Sequence, residues 1–166
     1  GGFEFDGDGD SVAIGTGAAL SGVANFTISA WVKPESSSDA RYIIQQRDAV
    51  STNGQYMIYL NTGGNVIFDL YGSALQWIII SDAVLIDGEW AHVPVKREGD
   101  DGFIFINGIL NKTASNSVQS LDDTKPVHIG YNHRNTNGYW NGSMDEVMIF
   151  NRSLSGEEIV GLYNAS

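Results

Sequence analysis

The stretch Phe26-Thr27-Ile28-Ser29-Ala30-Trp31-Val32-Lys33 decides the fold. Apolar Phe26, Ile28, Ala30 and Val32 alternate with Thr27, Ser29, Trp31 and Lys33. A period of two is the mark of a half-buried strand, with one set on each face. Trp31 is out of phase with the apolar set, which turns it to the opposite surface of its sheet.

The same alternation recurs in Tyr56–Leu60, Val66–Leu70, Phe103–Ile106, Val127–Ile129 and Val147–Phe150. Turn signals separate these runs: Asn53-Gly54, Gly63-Gly64-Asn65, Asp87-Gly88, Asp101-Gly102 and Asn107-Gly108. Strands at roughly 8–12-residue spacing, with no helical pattern between them, predict an all-β fold. The expected form is a two-sheet antiparallel β-sandwich, a jelly roll. One segment departs from the rhythm. Ser155 followed by Glu158 forms a capping box, and Ile159 and Leu162/Tyr163 share a face, so a short C-terminal helix is predicted. The 166 residues read as one domain over 1–166, without repeat, linker or second unit.

Composition narrows function. The formal net charge is −11, the wrong sign for nucleic acid or an anionic membrane surface. No Cys is present, which removes disulfides, thiolate metal sites and Cys nucleophiles. No apolar run approaches the ~18 residues of a membrane span. The start GGFEFDGDGD has no signal-peptide pattern, so an export signal, where one exists, lies outside these residues.

Several motifs in order then resemble a known family. They are Phe5-Asp6-Gly7 with Asp10, Phe26 to Pro34, and Gly88-Glu89-Trp90-Ala91-His92-Val93. Phe105-Ile106-Asn107-Gly108, Ile129-Gly130, Asn141 through Ser155, Glu157-Glu158-Ile159 and Leu162-Tyr163 follow. Together they resemble the laminin-G-like, concanavalin-A-like jelly-roll domain of multidomain extracellular proteins. The resemblance implies two stacked sheets with the first strand beside the last, a secreted or cell-surface location, and one module of a larger protein. It also implies that Trp90 and Trp140 are framework core residues. Ala91 stands where the family usually has a His, and Pro94 implies an edge or bulged strand there. Family members bind glycans, proteins or lipids, act as spacers, or accompany hydrolases, so fold alone does not assign function.

Catalysis is not expected. Glycan-cleaving carboxylates of retaining enzymes stand about 5–5.5 Å apart across the scissile bond. Glu4, Asp6 and Asp8 run into a Gly-rich turn, and adjacent Asp145 and Glu146 would point to opposite faces of a strand. No nucleophile elbow, phosphate loop or paired-His zinc motif is present.

The strongest ligand signal is Asp6-Gly7-Asp8-Gly9-Asp10. Alternating Asp and Gly brings carboxylate oxygens together as calcium requires, and pairing of first and last strands would add Asp145. The plainer reading is a solvated turn. For a glycan, the candidate contacts are Trp31, Arg47, Asp48, Trp77, His133, Arg134 and Tyr139, as aromatic platforms with polar neighbours. Asn-x-Ser/Thr acceptors at Asn25, Asn111, Asn141, Asn151 and Asn164 are compatible with a secretory route. The sequence thus points to a non-catalytic extracellular carbohydrate-binding module stabilised by calcium. A protein–protein adhesion or spacer domain is the alternative, with a hydrolase the weaker third. The expected partner is a glycan or an extracellular protein, with no nucleic acid and no membrane insertion.

Overall fold

A computed structural model describes residues 2–16, 20, 22–47, 55–71, 76–117, 121, 125–132 and 137–165. Among these, thirteen strands form two antiparallel sheets. The seven-stranded sheet has the spatial order β1 (Phe3–Asp6), β13 (Asn141–Phe150), β3 (Asn25–Pro34), β9 (Val95–Glu98), β10 (Asp101–Ile106) and β11 (Ile109–Ser115). A two-residue strand, β8 (Ala91–His92), also pairs with β3. The six-stranded sheet runs β2 (Val12–Thr16), β12 (Pro126–Ile129), β4 (Arg41–Gln46), β5 (Gln55–Leu60), β6 (Asn65–Tyr71) and β7 (Gln76–Val84). First and last strands pair, Phe3 opposite Met144 and Asp6 opposite Asn141. This is the two-sheet sandwich that the alternation predicts.

The core lies between the sheets. Phe26, Ile28, Ala30 and Val32 of β3 face Ile44, Tyr56, Ile58, Phe68 and Leu70 of the other sheet, all essentially buried. The phase read from the sequence is therefore the phase of the strand. Gly130 holds a φ of +80°, and a Cβ there would come within 2.5 Å of the Phe5 ring. Only glycine fits that conformation beside that ring.

The other face of β3 is covered as well. Thr27 Oγ1 accepts the Leu154 N–H at 2.9 Å and donates to the Arg152 carbonyl at 3.0 Å. This anchors the segment leading into α1 (Gly156–Asn164), whose capping box between Ser155 and Glu158 is formed. Ile159 of α1 packs with Phe105 and Leu154 in a second, smaller core.

Pro94 acts differently from the sequence expectation. It separates β8 from β9, and β9 lies between β3 and β10 rather than at an edge. Proline has no N–H for the ladder, so the strand is interrupted there, while the Pro94 carbonyl still accepts from Phe105 N–H at 2.8 Å.

Candidate functional site

The outer face of the six-stranded sheet follows from register. Gln45 pairs with His128 on one side and Met57 on the other, Met57 with Asp69, and Asp69 with Ile78. One step along, Tyr42 pairs with Tyr59, Tyr59 with Ile67 and Ile67 with Ile80. Residues directly opposite in a ladder share a face, and the flanking row Ile44, Ile58, Phe68 and Ile79 fills the core. The remaining rows therefore turn outward.

That face is aromatic and polar, and much of it is buried: Tyr42, Gln45, Arg47, Met57, Ile67 and Asp69 are buried, while Tyr59, Tyr71 and His128 are partly exposed. The Tyr42 and Tyr59 rings stack at 4.7 Å. The Arg47 guanidinium lies 5.9 Å from the Tyr71 ring centroid and donates to Met57 Sδ at 2.9 Å. Beyond β12, Tyr131 stacks on Tyr139 at 4.8 Å and meets His128 edge-on at 6.0 Å. Gln45 is buried, and neither its Oε1 nor its Nε2 has a hydrogen-bond partner among the described residues. Burial raises the phenols of Tyr42 and Tyr59 above their usual range, and the Asp69 carboxylate adds to this while Arg47 opposes it. Both tyrosines keep their O–H donors at physiological pH.

The seven-stranded sheet has an outer recess of its own, a cleft of about 330 Å³ lined by Trp31, Trp90, Asp145 and Glu146. Trp31 is half-buried and stacks with His92 at 5.3 Å and Tyr163 of α1 at 5.6 Å. His92 Nε2 lies 2.7 Å from Ser29 Oγ. Burial lowers the His92 pKa to about 4, partly opposed by Glu146. Trp90 is 45% exposed, not the core residue that its place in the motif implied. It sits where the chain turns into β8, so the ring is carried past the edge of the core. Trp140 is fully buried, as expected.

Asp145 and Glu146 also correct the sequence reading. Asp145 pairs with Trp31 and Met148 with Ser29, so Glu146 and Val147 together oppose Ala30. This is a β-bulge, with Glu146 at a left-handed φ of +48°. A bulge suspends strand alternation and re-aims a side chain, which lets adjacent carboxylates line one cleft.

The candidate ligand residues therefore divide. Arg47 and Tyr139 belong to the outer face of the six-stranded sheet, Trp31 to the other outer face. Trp77 is not a loop residue: it lies in β7, 4% exposed, packed across the sandwich against Gly102. Asp48, His133 and Arg134 lie outside the described residues. Tyr42, Tyr59 and Tyr71 were not anticipated. The out-of-phase test that singled out Trp31 would have found Tyr59 beside Ile58 and Leu60.

The four acids proposed for calcium do not fit one ion. Asp6 Oδ1 accepts the Asp8 N–H at 2.8 Å, and Asp10 Oδ2 accepts the Asp6 N–H at 3.1 Å. The hairpin's own turn thus engages two of its carboxylates. Asp145 stands four residues up the strand from Asn141, the partner of Asp6, about 13 Å away at ~3.3 Å per residue. Among the described residues no three His, Cys, Asp or Glu side chains are placed to hold a metal together.

Comparison with known proteins agrees with this architecture. The Laminin_G_3 family, the concanavalin A-like lectin/glucanases superfamily, matches residues 6–160. The chain belongs to this superfamily. No curated protein sequence matches it. Domain 4 of AbnA, a GH43 extracellular arabinanase from Geobacillus stearothermophilus, was solved in complex with arabinotriose. It superposes with a TM-score of 0.76 at 19% identity, over 92% of this chain and 72% of that one. The CBM40 of the Ruminococcus gnavus IT-sialidase, bound to alpha2,3 sialyllactose, gives 0.74 at 15% identity, over 93% and 96%. The binding domain of Paraclostridial Mosquitocidal Protein 1 gives 0.75 at 19% identity, over 93% of this chain but only 41% of that one. At these identities the likeness is one of fold.

Proposed function

We propose that this superfamily member is a non-catalytic carbohydrate-binding module acting outside the cell, with the outer face of the six-stranded sheet as its glycan surface. One observation carries the reading. Tyr59, Tyr71, Tyr131, Tyr139 and His128 keep partial exposure on or beside a single face, above a buried layer of Tyr42, Gln45, Arg47 and Asp69. Sugar rings present apolar C–H faces and polar hydroxyl edges. The partly exposed phenol rings offer flat faces to the first, and their hydroxyls with the His128 imidazole offer hydrogen-bonding groups to the second. The fold shared with domains solved in complex with arabinotriose and sialyllactose supports it. Export draws on superfamily membership more than on the sequons. Asn25 and Asn111 side chains already accept backbone N–H groups, and Asn141 donates to the Ser36 carbonyl.

A second reading has its own observation. Ile78, Ile80 and Val84 of the edge strand β7 are 44%, 47% and 53% exposed, and an apolar row of this kind suits a protein partner. A glycan array, run with calcium and with a chelator and followed by calorimetry on the strongest ligand, separates the two. Parent protein is expected to retain glycans, and Tyr59→Ala to lose most of that affinity while remaining folded, its melting temperature lowered by the lost Tyr42 stack. An empty array, or a Tyr59→Ala variant that binds like the parent, refutes the glycan reading. No polysaccharide hydrolysis is expected, and turnover abolished by Glu146→Gln would overturn the non-catalytic part.

A further inference from the structure

We propose that the cleft between Trp31, Trp90, Asp145 and Glu146 binds a compact organic cation, an alkylammonium group. This site lies on the opposite outer face from the tyrosines and does not depend on the glycan reading. Its volume of about 330 Å³ is at the lower end for ligand sites, which suits a single group rather than a long chain.

The indoles supply two walls. Trp31, His92 and Tyr163 form a triangle of ring centroids with sides of 5.3, 5.6 and 6.1 Å, all nearly parallel. Rings stacked on opposite faces of one indole stand at least about 7 Å apart, twice the ~3.5 Å contact distance. His92 and Tyr163 therefore share one side of Trp31. Strand order places His92 on β8 to one side of Trp31 and Asp145 on β13 to the other, so the second indole face is turned toward the carboxylates. Trp90 is held in place by a fixed turn. Gly88, at a φ of +81°, donates to the Pro34 carbonyl at 2.7 Å, and buried Arg41 grips Asp87 at 2.8 Å. An indole this exposed on so well-anchored a turn contributes little to packing.

The carboxylates supply the charge. The bulge presents both acids to the cleft although Glu146 must adopt a left-handed backbone, a strain of the kind found at ligand clamps. Asp145 Oδ1 accepts the Glu146 N–H at 2.8 Å, and no basic side chain is paired with Asp145 among the described residues. A cation over an indole face is attracted by the ring quadrupole; the two acids and the net charge of −11 add to that attraction. An anion is repelled, and a neutral ligand gives the Asp145 carboxylate no opposite charge.

Titration of the whole chain with tetramethylammonium or butylammonium, followed through indole N–H resonances, tests the proposal, with 1-butanol as the neutral control. Saturable shifts of the Trp31 and Trp90 signals are expected with the ammonium ions and not with butanol, weaker at high salt. Trp90→Ala, at an exposed position, should weaken binding about two- to fivefold. Asp145→Asn with Glu146→Gln should weaken it further. Trp90→Ala should leave glycan binding intact, and Tyr59→Ala should leave ammonium binding intact, so the two sites fail separately. No saturable response to either ammonium, or an equal response to butanol, overturns the assignment.

Discussion

Deleting one residue from the middle of a central β-strand normally wrecks it, because a one-residue slip moves every side chain to the other face. Glu146 of β13 should be an exception. Before it, Asp145 pairs with Trp31; after it, Met148 pairs with Ser29, and two residues share the place opposite Ala30. Removing Glu146 leaves Val147, which already packs against the main core, alone opposite buried Ala30. Every other pair of β13 keeps its register. The deletion relieves a left-handed non-glycine residue, worth roughly 1–2 kcal/mol, and loses the local Glu146 N–H to Asp145 bond, worth about 0.5–1.5 kcal/mol. The expected change is between about −0.5 and +1.5 kcal/mol, or roughly −2 to +6 °C in a domain of this size. Deletion of Ser143, in the regular part of the strand and opposite Lys33, is the control. It must turn buried Met144 or its neighbours to the wrong face and should unfold the protein. Calorimetry and urea unfolding of both variants decide the matter. A Glu146 deletion that loses stability as the Ser143 deletion does would show that the bulge is required by the ladder.

Two further outcomes follow from ionisable groups. His92 is buried and neutral in the fold, with its pKa lowered to about 4 by burial, against ~6.5 unfolded. Between those values the unfolded chain binds the extra proton, so this group's contribution to stability falls as pH drops from about 6.5 to 4, by at most about 3 kcal/mol. An imidazole titration by NMR with its midpoint near 6.5 would refute that. Asp145 lies too far from the Asp6–Asp10 hairpin to share an ion with it, so metal-stripped parent and Asp145→Ala should show the same calcium response by calorimetry. A response lost with Asp145→Ala but kept with Asp8→Ala would place calcium at the cleft instead.

Much of the architecture was legible because it rests on local pattern. The alternation of Phe26–Lys33 gave the correct buried face, and Ser155 with Glu158 gave the helix start. The site was less legible, since it depends on register and on local backbone. Trp77 is followed by Ile78, Ile79 and Ile80, a run apolar on both faces, so no period showed that Trp77 and Ile79 point inward while Ile78 and Ile80 point out. Asp145 could be put beside the first strand from the motifs, but only the pairing of Asp6 with Asn141 fixes how far up that strand it stands. The bulge gives no sequence signal, because a glutamate occupies a conformation usually left to glycine.

The strands bearing Trp31 and Tyr59 belong to different sheets, with their outer surfaces looking away from each other across a sandwich whose layers are ~10 Å apart. One copy of the domain is therefore two-sided without being symmetric. A ligand on one side offers no steric hindrance to a ligand on the other, and with no shared contacts their binding energies should simply add. With both proposed sites filled, a single copy would bridge two different surfaces by itself, where a one-sided module must first pair with a second copy. Once one side is held, the effective concentration at the other is set by the domain's own thickness.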